Sequence, residues 1–297
     1  LNAYIRALRL ERWPRSAAIL VGSAAFFFLY RNSLPLEVWG FLWRIVLSFF
    51  LTWAISTVNY IINEIVDAPY DIHHPVKRHR PLIKGEIKKG PFILLGIVLS
   101  AASVAVALAC FSRPFLAAML ALLAAGFVYN LRPIRTKDIP FLDAISESAN
   151  NPIRFLIGWY AVSPGNVFPP WTLLVCWWSF GNFLMEAKRL SEFRLLREKA
   201  SDYRLSHRKY SRNSLLLAMA ASALVFLLTF LYFAVSSGFY NLAYLFPFLL
   251  FYLYLFFRKT LKEKEVMEEP ESLLRNPLIA ACTFSLLLLL ALAFVLH

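Results

Sequence analysis

The sequence predicts an all-α, polytopic membrane protein: nine transmembrane helices in one bundle, with the N-terminus on the cytoplasmic side. Three observations predict it. Of 297 residues, 59% are hydrophobic and only 16% are charged, where an ordinary soluble domain carries about 25% charged residues. The apolar residues gather in runs long enough to cross a bilayer core, which takes about 20 residues of helix. The basic residues, 31 Lys and Arg against 18 Asp and Glu for a net charge of +13, fall almost entirely in alternate links between those runs. On a soluble protein this balance would point to nucleic acid. Between apolar runs it points to anionic partners at one membrane face, and no nucleic-acid partner is expected. The composition also excludes a disordered chain and a secreted disulfide scaffold.

Taken in order, the first run, 16–31, lacks a small-residue cleavage site and is expected to stay as a helix rather than leave as a signal peptide. The others cover 38–62, 91–111, 114–131, 141–162, 170–187, 214–236, 240–257 and 277–296. Turn-forming residues punctuate the short links: Ser112-Arg113-Pro114, Ser163-Pro164-Gly165-Asn166 and Ser236-Ser237-Gly238. The fifth run contains Asp143, Glu147, Asn150, Asn151 and Arg154, so it fits only a bundle with a wet or polar interior. With the N-terminus inside, the tail holds four basic residues, and the links after helices two, four, six and eight hold six, three, nine and five, which is 27 of 31. Arg31 and Arg113 lie in opposite links, while Arg44 and Arg154 lie within spans. A bias this steep follows the positive-inside rule and supports nine spans. There is no strong internal repeat, and residues 1–297 read as a single domain. Cys110, Cys176 and Cys282 all fall inside apolar runs and read as small buried hydrophobes rather than disulfide or zinc partners.

Three polar clusters interrupt this pattern. The first runs from Asn63 to Pro81. Asn63, Asp67 and Asp71 are spaced by four and share one helix face, while Pro69 and Pro75 are expected to loosen the turn. Three oxygen-bearing side chains at the end of an apolar helix suit Mg²⁺, which takes one or two carboxylates and completes its octahedron with water and phosphate oxygens. The Lys77-Arg78-His79-Arg80 run can grip further phosphate charge; the alternative is a solvated loop with incidental spacing. The second cluster is Asn182 and Glu186, then Lys188, Arg189 and Glu192. A stop-transfer flank would explain its cations but not its acids. The third is Tyr129-Asn130-Leu131-Arg132-Pro133, then Lys137, Asp138, Asp143, Glu147 and Arg154. Buried acids there need a partner or a metal, and Glu147 or Asn150 pairing with Arg154 is the plain alternative.

The Asn-x-x-x-Asp-x-x-x-Asp spacing between helices two and three, with Arg132-Pro133 further on and polar links after the second, fourth and sixth helices, resembles the UbiA superfamily of membrane transferases over essentially the whole chain. The resemblance implies Mg²⁺ held by Asn63, Asp67 and Asp71 near the cytoplasmic face, against the diphosphate of a donor. Two departures stand out. Glu64 replaces the Asp of the usual Asn-Asp opening, and no second Asp-x-x-x-Asp follows helix six. The segments His74-Pro75-Val76-Lys77-Arg78-His79-Arg80-Pro81 and Ala187-Lys188-Arg189-Leu190-Ser191-Glu192 are similar to the branch that makes polyprenyl-phosphate phosphoribose, the decaprenyl-phosphate phosphoribosyltransferases.

That resemblance implies an enzyme of the bacterial or archaeal cell membrane, its active site cytoplasmic. It would transfer 5-phosphoribose from phosphoribosyl diphosphate to a polyprenyl phosphate, with Asn63, Asp67 and Asp71 catalytic. Lys77, Arg80, Lys137, Lys188 and Arg189 would take the 5-phosphate and the lipid phosphate, with Tyr129, Asp143, Glu186 and Glu192 completing the substrate site and Glu64 in support. His73, His74 and His79 read as loop residues, and an oligomer is left open. Two rivals remain: prenyl transfer from a polyprenyl diphosphate to an aromatic or other acceptor, with Glu186 and Glu192 as the nearby acids, and a carrier using its acids as an ion path. A carrier would favour repeated halves and charges at the midplane, whereas these acids gather at one face.

Overall fold

The computed structural model describes residues 2–30, 37–72, 77–164, 167–196, 205–262 and 276–295. Every described element is helical: α1 (Asn2–Ala7), a 3-10 segment (Leu10–Ala18), α2 (Ile19–Tyr30), α3 (Val38–Asp71), α4 (Lys89–Cys110), α5 (Arg113–Asn130), α6 (Leu142–Ser148), α7 (Asn150–Val162), α8 (Trp171–Leu196), α9 (Arg212–Ser236), α10 (Phe246–Lys262) and α11 (Pro277–Val295). Short 3-10 turns at Lys77–His79, Thr136–Asp138, Leu205–Lys209 and Tyr240–Leu245 complete it. Seven stretches of the described residues are long and apolar enough to cross a bilayer: Asn2–Tyr30, Val38–Pro69, Lys89–Cys110, Arg113–Asn130, Arg212–Ser236, Tyr240–Lys262 and Pro277–Phe294. The fifth and sixth runs read from the sequence correspond to α6 with α7, and to α8. The former breaks at Ala149, and both carry buried charge. On α4 the large side chains Leu94, Ile97, Val98 and Leu108 are exposed, as are Leu217, Leu224 and Leu228 on α9. Such faces are stable against lipid rather than water, and the chain is an integral membrane protein.

The residues gather into two compact units, one made of Leu1–Thr136 with Asn150–Pro169 and the other of Lys137–Ala149 with Pro170–His297. In the first, α2 and α7 approach backbone to backbone. A Cβ on Gly22 would sit 2.0 Å from the Phe155 carbonyl oxygen, and one on Gly158 would sit 1.8 Å from that of Ile19. Small residues let membrane helices meet this closely, and Ser23 Oγ donates to the Gly158 carbonyl at 2.8 Å across the same contact. We expect Gly158→Ala to push the helices apart and cost about 2–3 kcal/mol, read as a lower melting temperature in detergent. Equal melting of variant and parent would contradict the backbone contact. Between α3 and α5, Gly126 leaves room for Asn59, whose Nδ2 donates to the Leu122 carbonyl at 2.8 Å.

Arg44, which the sequence placed inside a span, lies near the start of α3 and reaches the chain ends of two other helices. Its guanidinium donates to the carbonyls of Ala161 (3.4 Å) and Cys110 (3.3 Å) and lies over the Phe111 ring. Carbonyls at helix C-termini lack intrahelical donors and carry partial negative charge, so a cation is favoured there. The second helix does not loosen as expected at Pro69: α3 continues through it to Asp71. A proline this near the C-terminus disturbs only the last turn. Pro75, His73, His74 and the Lys77 side chain lie outside the described residues.

In the second unit α8 packs along α9. Buried polar groups are satisfied across that contact: Asn182 Nδ2 donates to Glu186 Oε1 (2.9 Å) and to Ser222 Oγ (3.0 Å), and Ser222 donates to Glu186 Oε2 at 2.8 Å. Phe180 meets Phe226 and Tyr252, and Tyr252 shares a 2.7 Å hydrogen bond with Thr283 of α11. Two of the turn signals read from the sequence match helix ends: Pro114 stands in the first turn of α5, and Gly238 (φ 78°) supplies the left-handed residue just past the end of α9. Gly165 and Asn166 of the third lie outside the described residues. Ser211 and Ser214 cap the start of α9 reciprocally. All three cysteines are free, Cys176 buried and Cys110 exposed.

Candidate active site

In the first unit the acidic face of α3 forms as the spacing requires. Asn63, Asp67 and Asp71 stand one turn apart near the C-terminal end of the helix, Asp71 buried and the other two half-buried. Each carboxylate faces a guanidinium. Arg135 Nη2 donates to Asp67 Oδ1 at 3.2 Å, and Arg80 Nη1 bonds Asp71 Oδ2. Arg135 also donates to the Asn130 carbonyl at the end of α5 (3.3 Å), which fixes its stem. Glu64, only 1% exposed, pairs with Arg9 Nη2 at 3.6 Å. Arg154 of α7 reaches Ser56 Oγ at 3.4 Å, and Arg12 lies over the Tyr60 ring. Arg9 and Arg135 were not singled out as α3 partners in the sequence. Both have left-handed backbone (φ 51° and 33°), which non-glycine residues adopt at a cost. Tyr129 is half-buried and His79 is exposed; Lys137, which belongs to the second unit, is buried.

In the second unit one arginine holds three acids. Arg189 is fully buried. Its Nε donates to Asp143 Oδ2 at 2.7 Å, its Nη2 to Glu147 Oε2 at 2.6 Å and its Nη1 to Glu192 Oε2 at 3.1 Å. Lys188 adds a longer contact to Glu147, 3.8 Å. Ser206 Oγ donates to Asp143 at 3.1 Å, His207 Nε2 lies 3.0 Å from Glu192, and the Tyr210 hydroxyl bonds Asp143 Oδ1 while accepting the Phe141 N–H at 2.8 Å. The sequence expectation had Arg189 receiving a substrate phosphate; in the structure its nitrogens are directed at carboxylates. Glu186 is buried against Asn182 and Ser222 rather than joining this group. Ser206, His207 and Tyr210 were missed entirely. Their only sequence signal is a polar stretch closing the link before α9, which reads as one more basic loop.

Burial, and then the adjacent Asp143 charge, push the Tyr210 phenol above its ordinary value. It therefore stays a hydrogen-bond donor to Asp143 at neutral pH. A folded-state pKa raised above the unfolded value gives stability that is complete below that unfolded value and is lost as the pH climbs past it. The wild type should lose stability above about pH 10. Tyr210→Phe should flatten that alkaline limb in thermal melts while lowering stability near pH 7 by about 1–2 kcal/mol. An unchanged limb would show that this phenol does not contribute.

Apolar helices facing lipid, with acids and arginines gathered at the end of α3 and between α6 and α8, define a membrane-embedded all-helical protein equipped to handle charged groups. Its sequence matches the family model for the UbiA prenyltransferase family over residues 18–274. The chain belongs to the UbiA prenyltransferase family. It is 26% identical over 239 residues to a decaprenyl-phosphate phosphoribosyltransferase of Corynebacterium glutamicum; the match covers 75% of this chain, which spans 65% of that relative's length. Among solved structures it is similar to a UbiA homologue from Archaeoglobus fulgidus bound to DMAPP and Mg²⁺ (TM-score 0.73, 19% identity, 98% of each chain). It is similar also to the apo UbiA homologue from Aeropyrum pernix K1 (TM-score 0.64, 13% identity, 94% of this chain and 98% of that one). These likenesses fix the fold.

Proposed function

We propose that this protein transfers 5-phosphoribose from phosphoribosyl diphosphate to a polyprenyl phosphate, with Mg²⁺, at the cytoplasmic face of a bacterial or archaeal membrane. The observation that carries the reading is the end of α3, where an amide and two carboxylates share one face and each carboxylate already lies beside a guanidinium. The likeness to a decaprenyl-phosphate phosphoribosyltransferase supports the choice of donor. The steep distribution of basic residues supports nine spans, a cytoplasmic N-terminus and one functional domain.

The donor set fits Mg²⁺: oxygen ligands only, two carboxylates and an amide one turn apart, with Asp71 buried and Asn63 and Asp67 half-buried. Asn63, Asp67 and Asp71 would hold the ion. When bound, it neutralises charge on a departing diphosphate. Arg135 and Arg80 orient the two carboxylates and are placed to share phosphate oxygens, which guanidinium groups bind in pairs. Lys77 and Tyr129 of the first unit are further phosphate-binding candidates, as Lys137 and Lys188 are in the second. In the reaction an acceptor phosphate oxygen bonds C1 of the ribose, the C1–O bond to diphosphate breaks, and diphosphate leaves. The acceptor is an anion at neutral pH and needs no strong base. Within the second unit, Arg189 draws Asp143, Glu147 and Glu192 together.

A second reading, prenyl transfer from a prenyl diphosphate, is favoured by the Archaeoglobus fulgidus homologues, whose structures hold GPP or DMAPP with Mg²⁺. The two are separated by giving purified protein in lipid labelled phosphoribosyl diphosphate, polyprenyl phosphate and Mg²⁺. Label entering the lipid phase, and lost with EDTA, supports phosphoribosyl transfer. No transfer from this donor, with alkylation of an acceptor by an allylic diphosphate, would establish the second reading instead.

A further inference from the structure

We infer that the N-terminal segment is a working part of the α3 site, and that Arg9 is a positioning residue that neutralises Glu64 so that the acidic face offers only Asp67 and Asp71 to a cation. The inference rests on the reading of Asn63, Asp67 and Asp71 as metal ligands. It starts from how the segment is seated. Ala7 is buried with Ile61, Ile87 and Phe92, and Tyr4 and Leu8 pack on the same cluster beside Ile65 and Leu82. Tyr4 meets the Phe92 ring edge-on, and Arg6 pairs with Glu86. This seat lies on α3 within one turn of Asn63 and Glu64, so the chain direction delivers residue 9 to the acidic end of the helix.

Arg9 then turns sharply. Its φ of 51° is the left-handed backbone that an arginine adopts only when its surroundings impose it, and the turn aims its guanidinium at Glu64, 3.6 Å away. Glu64 precedes Asp67 by three and Asp71 by seven residues, so on the helix it belongs to the same stripe as the two aspartates. It is 1% exposed, and its Oε1 accepts no hydrogen bond. A buried carboxylate persists as an anion only where donors and cations offset its lost hydration; Glu64 accepts from the Leu82 backbone N–H and feels Arg80, and Arg9, itself mostly covered, is the cation paired with it at 3.6 Å. The pair is neutral as a unit. Split it, and either charge acts directly on the face next to it.

That predicts an asymmetric double-mutant cycle, read by Mn²⁺ binding to purified protein in detergent, with free Mn²⁺ followed by EPR. Glu64→Gln keeps the shape but strands the Arg9 charge beside Asp67 and Asp71, and should weaken Mn²⁺ binding about fivefold or more. Adding Arg9→Met to Glu64→Gln removes the stranded charge and should return affinity to within about twofold of the parent. Melting temperatures of all variants establish that each is folded. If Glu64→Gln does not fold, the double variant still decides: wild-type-like folding and Mn²⁺ binding support the pair, and failure of both overturns it. Wild-type Mn²⁺ binding in folded Glu64→Gln would overturn the inference. So would a binding defect that the second substitution leaves uncorrected. Asp67→Asn is the control: if it too leaves Mn²⁺ binding intact, the metal reading itself has failed, which is a different result from a silent Glu64→Gln beside a weakened Asp67→Asn.

Discussion

On the proposed function, Asp67→Asn is expected to lower phosphoribosyl transfer by about a hundredfold to a thousandfold while the protein stays folded. The side chain keeps its shape, so the change removes a charge and little else. Two losses then coincide. The α3 face gives up one of the two carboxylates proposed to hold a divalent cation, and the Arg135 guanidinium, 3.2 Å from Asp67 Oδ1, loses its counter-charge. Removing a single preorganised electrostatic contact at a reacting centre commonly costs a hundredfold to a thousandfold in rate. The measurement is single-turnover transfer at saturating donor, with Mg²⁺ varied, beside a thermal melt. A rate within about tenfold of the parent at every Mg²⁺ concentration would remove Asp67 from the site. A rate restored by high Mg²⁺ would instead assign it to metal affinity alone.

Asp67 was visible in the sequence for a simple reason: a spacing of four puts groups on one helix face whatever the rest of the chain does. The same holds for Asn63 and Asp71, for the turn residues Ser112 and Gly238, and for the apolar runs, whose length answers to the bilayer. Partners brought by tertiary structure were not visible. Arg9 and Arg135 look like two among many basic residues near the ends of apolar runs. Only the folded backbone, left-handed at both, directs them to α3. Arg44 read as a stray cation within a span, because helix-end carbonyls are acceptors that sequence does not display. The fifth run was read as one span despite its five polar residues, and it divides at Ala149 into two helices that belong to different compact units. Glu147 was weighed against Arg154 in the same run, and the structure gives it Arg189 and Lys188, some forty residues on.

Arg189→Met should have the largest effect on stability of any single substitution in the second unit. The arginine touches Asp143, Glu147 and Glu192 together, at 2.7, 2.6 and 3.1 Å, and it is wholly buried. Its removal leaves acids drawn from α6 and α8 beside one another, with Lys188 3.8 Å from Glu147 and His207 3.0 Å from Glu192. Breaking a buried ion pair from one side typically costs about 3–5 kcal/mol, and here one cation serves three acids. The sign of the pH dependence tests the cause. Carboxylates stranded together bind protons more readily folded than unfolded, so their folded pKa is raised and the variant gains stability relative to wild type as pH falls. The melting deficit of Arg189→Met should therefore shrink between about pH 8 and pH 5. Glu147→Gln placed in the same background should recover part of it at pH 8 by removing one of the stranded charges. Loss of packing alone would give a deficit independent of pH and untouched by Glu147→Gln. Arg189 would then be a space-filling residue rather than the counter-charge that gathers these acids.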